Sequence, residues 1–337
     1  MKAVGYKTPL PIADPQSLLD IELPAPVATG RDLLVEIKAI SVNPVDVKVR
    51  ASGKPDGTDH KILGWDAAGI VKSIGPDCTL FQPGDEVYYA GSIARSGTNS
   101  QLHLVDERIV GRKPKTLTFA QSAALPLTTI TAWELLFDRF GVQPGKPAHA
   151  GSILVVGGAG GVGSILIQLA RRLTGLTVIA TASRPETQDW CRSLGAHHVI
   201  DHTKPFADQL RVIGLPEVEY IAALTGTEGH YPELVQVLAP QGKLGVIDDP
   251  KTLDVKPLKR KSASLHWEFM FTRAVFETPD ILAQHRLLNE AADLVDSGVL
   301  HTTLAETLGP INAANLKRAH TLIESGRVRG KLVLEGF

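Results

Sequence analysis

The chain has 337 residues, enough for about two domains at roughly 150 residues each. Its 35 Lys and Arg nearly cancel its 36 Asp and Glu, for a formal net charge of -1, so no basic excess is available to grip nucleic acid or an anionic membrane. An apolar share of 43% and a charged share of 21% are those of a globular chain with a core to bury. Two cysteines, Cys78 and Cys191, cannot build a four-cysteine zinc lobe or a disulfide framework, which points to a reducing, cytoplasmic setting. The opening MKAVGYKTPLPIAD has no apolar signal-peptide run.

Short apolar runs at 33–42, 69–75 and 85–91, separated by turn signals at 76–78 and 82–85, read as an all-β unit over the first ~125 residues. Past Pro126 the pattern changes. A helix is expected over 131–140, a buried strand over 152–156, a helix over 164–173 and a strand over 177–182. A helix over 185–195, strands over 197–201 and 218–224, a helix over 231–239 and a strand over 243–248 follow. This alternation predicts βαβ units and a parallel sheet covered on both faces. An amphipathic helix spans 281–298, and KLVLEGF ends the chain as a strand. The stretch 150–167 is uncharged for 18 residues, near transmembrane length. Its central glycine cluster reads instead as the turn between a strand and a helix.

That cluster holds Gly158-Ala159-Gly160-Gly161-Val162-Gly163, a G-x-G-x-x-G pattern between a strand and a helix. Gly158 is expected to allow the tight turn, Gly160 to let backbone approach a pyrophosphate, and Gly163 to allow close helix–strand packing. The helix start then faces the anion. At the end of the next strand stand Ala182-Ser183-Arg184, with no Asp or Glu for a ribose 2′-hydroxyl. Arg184 and the Ser183 hydroxyl suit a 2′-phosphate, so the expected cofactor is NADP(H). His197, His198 and His202 cluster, but in a loop entering a strand rather than on a helix, so they are read as loop residues and not as a metal site.

KAISVNPVDVKVR (38–50), LGWDAAGIVKSIG (63–75), FQPGDEVYYAG (81–91), AALPLTTITAWELL (123–136), LVVGGAGGVGSILIQLAR (154–171) and GRVRGKLVL (326–334) together carry a resemblance. Over essentially its whole length the chain resembles the medium-chain dehydrogenase/reductase superfamily. Within it the chain is similar to the quinone oxidoreductase and zinc-type alcohol dehydrogenase-like branch. The resemblance implies an α/β protein: a Rossmann doubly wound parallel sheet (126–265) inserted into a GroES-like, β-rich catalytic domain (1–125 and 266–337). It also implies a homodimer formed through the Rossmann sheet edges.

The sequence departs from the zinc enzymes of that superfamily. Asn43 stands where they carry a cysteine, and Trp65 where they carry a histidine. No Cys or His lies between Ala120 and Glu134, the region of the third ligand. An amide and an indole are not zinc ligands, so no metal is expected.

By position in the family, Asn43 lies beside the nicotinamide and donates its amide N–H to a substrate oxygen or the ribose; alternatively it only forms the turn before Pro44. Asp46 caps the following helix or acts as a base. Asp66 makes a buried ion pair with Arg329 or Lys331. Trp65 and Tyr89 are walls for a planar substrate or plain core residues, and 267–271 offers another wall. In this branch a Tyr often stands where Lys48 is found here. Leu224-Thr225-Gly226 is expected to pass the nicotinamide ribose, and the resemblance adds Thr131 and Lys331 as cofactor contacts.

Hydride delivery without a Lewis acid suits an electron-poor acceptor, since charge then spreads to a distant oxygen. The expected activity is NADPH-dependent, zinc-independent reduction of a quinone or an α,β-unsaturated carbonyl. The alternatives are an NADP-dependent alcohol dehydrogenase or ketone reductase, and an NADPH-binding sensor without turnover. The expected partner is a small molecule, with no nucleic acid and no membrane.

Overall fold

The computed structural model describes residues 1–55, 60–147 and 150–337. The chain divides into two compact units, Met1–Ile130 with Phe271–Phe337, and Thr131–Met270.

The first unit is built on a seven-stranded sheet. Its order runs Leu304–Thr307, Lys331–Glu335, Asp32–Val42, Ala67–Ile74, Glu86–Tyr89 and Gly111–Arg112, with Leu102–Asp106 also paired to Asp32–Val42. Strands Leu19–Glu22, Lys2–Tyr6 and Lys61–Ile62 form a smaller sheet. In Asp32–Val42 the early residues alternate buried and half-buried, and its last four are all buried, as when a strand passes from a half-covered to a fully covered part of a sheet. The terminal strand Lys331–Glu335 lies antiparallel on it, with Leu332 opposite Val42. That register brings Lys331 to Asn43, the residue that opens helix Pro44–Ser52. Pro44 at the first helical position starts this helix without losing a bond, because that N–H has no intrahelical partner.

The second unit is a six-stranded sheet in the order His198–Ile200, Thr177–Thr181, Ser152–Val156, Val218–Ala223, Leu238–Val246 and Ser264–Trp267. Every pairing is parallel. In chain order this is 3-2-1-4-5-6, the doubly wound arrangement whose direction reverses beside the first strand. Ser152–Val156 is buried throughout, as a central parallel strand covered on both faces must be. Leu154, Val156, Ile179, Phe206, Leu210, Ile221 and Leu234 form part of one core.

Several boundaries differ from expectation. The helix expected over 131–140 begins earlier, as Pro126–Trp133, and continues as a π-helical stretch, Glu134–Arg139. The helix expected from 231 runs Thr227–Val237 with Pro232 inside it, and the next strand starts at Leu238. Proline usually marks a first turn, which pulled the expected start too far along the chain. Helices Phe206–Val212 and Ala313–Glu324 were not anticipated. The uncharged stretch at 150–167 resolves into strand, turn and helix, and no helix among the described residues is long and apolar enough to cross a membrane.

Candidate functional site

In the first unit the chemistry gathers around Asn43. Its amide nitrogen donates to Asp66 Oδ2 at 2.9 Å and to the Ser41 carbonyl at 3.4 Å. Its Oδ1 accepts from Lys331 Nζ. That ammonium also lies 3.0 Å from Asp66 Oδ2 and donates to the Val42 carbonyl at 3.2 Å. The other Asp66 oxygen accepts the Leu127 N–H at 2.8 Å. Of the two partners expected for Asp66, the structure shows Lys331. All three side chains are buried. Both Asn43 amide protons are directed into the protein, and the three Lys331 protons have three acceptors.

Asp46 is buried beside this cluster. It does not occupy the cap position itself. As the third helical residue it reaches back, and its Oδ2 accepts the Asn43 N–H at 2.7 Å. Its Oδ1 is buried with no partner. Burial pushes the Asp46 carboxyl up to about 7, against the pull of the Asn43 N–H and the Lys331 charge. Burial also raises the Asp66 carboxyl, with Lys331 as the main opposing influence.

Trp65 is 1% exposed, donates its indole N–H to the Ser92 carbonyl at 3.2 Å and meets Phe271 edge-on. Tyr89 is fully buried and stacks on His103, with its hydroxyl 3.1 Å from His103 Nδ1. The His103 Nε2 faces the Ser96 carbonyl at 2.9 Å, so Nε2 carries the proton and Nδ1 accepts from Tyr89. Burial drives His103 down to about 4 and the Tyr89 phenol up, keeping both neutral.

In the second unit the glycine cluster forms a cradle. The left-handed turn falls on Gly157, with φ 83°, one residue before the expected Gly158. Gly157 donates its N–H to Thr181 Oγ1 at 3.0 Å. Gly158 is needed for packing instead: a Cβ there would stand 2.8 Å from Ala180 Cβ and 3.2 Å from Cys191 Sγ. A Cβ on Gly163 would reach the Gly157 carbonyl oxygen at 2.4 Å, so helix and turn touch backbone to backbone. At Gly160 a Cβ would meet one atom, at 3.4 Å, and otherwise open space. Gly160 caps helix Gly161–Leu173, which starts three residues earlier than expected. The first-turn N–H groups of Gly161, Val162 and Gly163 have no intrahelical acceptors, and the helix dipole favours an anion there. Ala159 lies in the same turn, and the Leu224 N–H is tied to the Val156 carbonyl at 3.3 Å. The Thr225 methyl fills the space where a Gly157 Cβ would go. Thr131 is buried in helix Pro126–Trp133.

Ser183 and Arg184 leave the end of strand Thr177–Thr181, and Arg184 stands at the cap position of helix Pro185–Leu194. The Arg184 side chain is 39% exposed and pairs with Glu186 at 3.0 Å. Sequence reasoning missed Gly157 and Thr181. The doubled glycine at 157–158 was the available signal.

Family models match residues 29–131 as an alcohol dehydrogenase GroES-like domain and residues 194–334 as a zinc-binding dehydrogenase. A zinc-type alcohol dehydrogenase-like protein of Staphylococcus aureus (strain MSSA476) is 38% identical over 336 residues, covering 99% of both chains. The chain belongs to the medium-chain dehydrogenase/reductase superfamily. A crystal structure from Rhizobium etli CFN 42 that carries a zinc-dependent alcohol dehydrogenase name matches with TM-score 0.96 and 61% identity, over 100% of this chain and 98% of that one. The 2-methylene-furan-3-one reductase of Solanum lycopersicum is 30% identical over 327 residues, covering 94% of this chain and 74% of its own. Escherichia coli quinone oxidoreductase complexed with NADPH shares the fold, with TM-score 0.84 at 24% identity over 99% and 100% of the chains.

In this medium-chain dehydrogenase/reductase the residues present do not fit zinc. Asn43 offers an amide oxygen already bonded to an ammonium, and Trp65 offers an indole that only donates. The Lys331 ammonium stands inside the cluster, so a dication beside Asp66 would meet a fixed positive charge. Among the described residues no group of three or more His, Cys, Asp or Glu is placed to hold a metal. The glycine cradle does fit a dinucleotide: it has room at Gly160, unpaired helix-start amides and a sheet switch point.

Proposed function

We propose that the chain is an NADPH-dependent, zinc-independent reductase that passes hydride to a quinone or an α,β-unsaturated carbonyl. One observation carries this reading: a buried ammonium, Lys331, pairs with Asp66 and bonds Asn43, the residue that stands where the zinc enzymes of the superfamily carry a cysteine. The reductase name of the tomato relative supports the enone half of the reading, and the fold shared with quinone oxidoreductase is consistent with the other half.

A bound nicotinamide would supply the hydride. The helix-start amides of Gly161, Val162 and Gly163 hold the pyrophosphate, and Ala159 and Gly160 let it approach. Ser183 and Arg184 take the 2′-phosphate, with Arg184 exchanging Glu186 for the stronger anion. Leu224, Thr225 and Thr131 are proposed cofactor contacts. Asn43 and Lys331 act through position, because their polar atoms are engaged inside the protein. Trp65 and Tyr89 shape the unit from within its core. Asp46 holds a proton near neutral pH. A homodimer in the cytoplasm completes the proposal.

The test is NADPH oxidation by purified, chelator-treated protein with 1,4-benzoquinone, an alkenal and a simple ketone side by side, with metal content measured. Turnover of quinone or alkenal without metal is expected. One tightly held zinc per chain, with activity lost on its removal, would overturn the reading. A second reading, alcohol or ketone chemistry, is favoured by the name of the Rhizobium etli relative. It predicts cyclohexanol oxidation with NADP and no quinone turnover.

A further inference from the structure

Strands Thr177–Thr181 and His198–Ile200 lie parallel with Thr181 opposite Ile200, and the Ala182 N–H donates to the Ile200 carbonyl at 2.9 Å. Continued by two residues, that register sets Ala182-Ser183 beside Asp201-His202 at the carboxyl edge of the sheet, with Arg184 next along the chain. Open α/β sheets take nucleotides along this edge. The His202 ring lies 6.2 Å from the His230 ring, edge to face, and His230 stacks on Phe206 at 5.3 Å. His230 sits in the first turn of helix Thr227–Val237, against the left-handed Gly226 that follows Thr225. A rim therefore runs from Thr225 through His230 and His202 to Arg184.

The charges facing His202 are those of Arg184, His230 and Asp201. Asp201 is already occupied by the Thr203 N–H and hydroxyl and lies 3.6 Å from Lys204. From the neighbouring helices, Glu233 accepts the Phe206 N–H at 2.7 Å, and Glu186 is held by Arg184. Burial first, then His230 and Arg184, hold His202 below the ordinary histidine range. These influences favour the uncharged form of the His202 imidazole, while Asp201 opposes them.

We propose that His202, backed by His230, is a proton-accepting wall of the 2′-phosphate subsite, so that NADPH binds together with a proton taken from solvent. The inference rests on the NADPH reading above. A phosphate near Arg184 carries close to two negative charges at neutral pH. Its arrival reverses the field that favoured the uncharged imidazole and offers the imidazolium a charge-assisted hydrogen bond. The folded, loaded protein then holds one more proton than the empty one. NADPH affinity therefore rises as pH falls from about 8 towards 6, where protonation of the phosphate itself sets the lower limit. NADH has no 2′-phosphate and gains nothing.

The test titrates NADPH, NADH and 2′,5′-ADP into the full-length protein between pH 6 and 8.5. Calorimetry in two buffers of different ionisation enthalpy counts protons. The wild type should bind NADPH about tenfold more tightly at pH 6.5 than at pH 8 with net proton uptake, and NADH without change. His202→Gln should abolish the slope and the uptake while leaving NADH affinity intact, which also shows that the variant is folded. His230→Gln should ease protonation of His202 and move the slope to higher pH. A preference for NADPH that is independent of pH, or a slope unchanged in His202→Gln, overturns this inference and leaves the cofactor reading standing. Equal affinity for NADPH and NADH at every pH defeats both.

Discussion

Replacing Lys331 by Met tests the buried cluster most directly. The ammonium and the Asp66 carboxylate are 3.0 Å apart, with side chains 3% and 0% exposed. Removing one partner of such a pair strands the other charge, at a cost of about 3–5 kcal/mol. Asp66 would keep the Asn43 amide and the Leu127 N–H. We therefore place the loss at the low end, about 3 kcal/mol, a shift of more than a hundredfold in the folding equilibrium. Asp66→Asn combined with Lys331→Met leaves no charge to strand, so the double variant should lose less than the sum, by about 2 kcal/mol. Trp65 is the first unit's only tryptophan, so in a Trp133→Phe, Trp190→Phe, Trp267→Phe background its fluorescence in urea reports that unit. A loss below about 1 kcal/mol, the value of an exposed ion pair, or strict additivity in the double variant, would refute the argument.

Asp46 should make stability depend on pH. Its carboxyl is held up to about 7 when folded against an ordinary value near 3.8, so between these pH values the folded chain keeps a proton that the unfolded chain has lost. Stability then falls as pH rises through that window, by roughly 4 kcal/mol at about 1.4 kcal/mol per tenfold in proton affinity, and is flat above it. Asp46→Asn should flatten the profile, and equal wild-type urea midpoints at pH 5 and pH 8 would contradict the reasoning. Arg184→Glu should weaken NADPH by roughly 10- to 100-fold and leave NADH nearly unchanged in fluorescence titrations; an unaltered NADPH constant rules out the 2′-phosphate role. Gly160→Ala should fold normally but bind NADPH at least about tenfold more weakly, because its methyl enters the space left for the pyrophosphate. Gly163→Ala should lower thermal stability as well, because its methyl has only backbone to meet.

The alternation of strand and helix past Pro126, the glycine cradle and Arg184 at the strand end were legible in the sequence. Each is a local pattern, read within one strand–turn–helix unit whose burial repeats with the element's own period. Even there a residue's exact task was not legible: Gly157 and Gly158 are adjacent, and only the packing against Ala180 and Cys191 shows which one turns and which one fits. The departure from zinc chemistry at Asn43 and Trp65 was also visible, because a side chain's donor set belongs to its own identity. Lys331 was one of two partners the resemblance offered for Asp66, but its bond to Asn43 was not legible. Lys331 is 288 residues from Asn43, and it arrives there only because the terminal strand pairs antiparallel with Asp32–Val42 in one register. The meeting of His202 with His230 likewise joins the loop after strand His198–Ile200 to the start of helix Thr227–Val237. Local propensity determined the elements, while long-range strand register and layer packing decided which buried charges meet, because that choice depends on chain partners no local window contains.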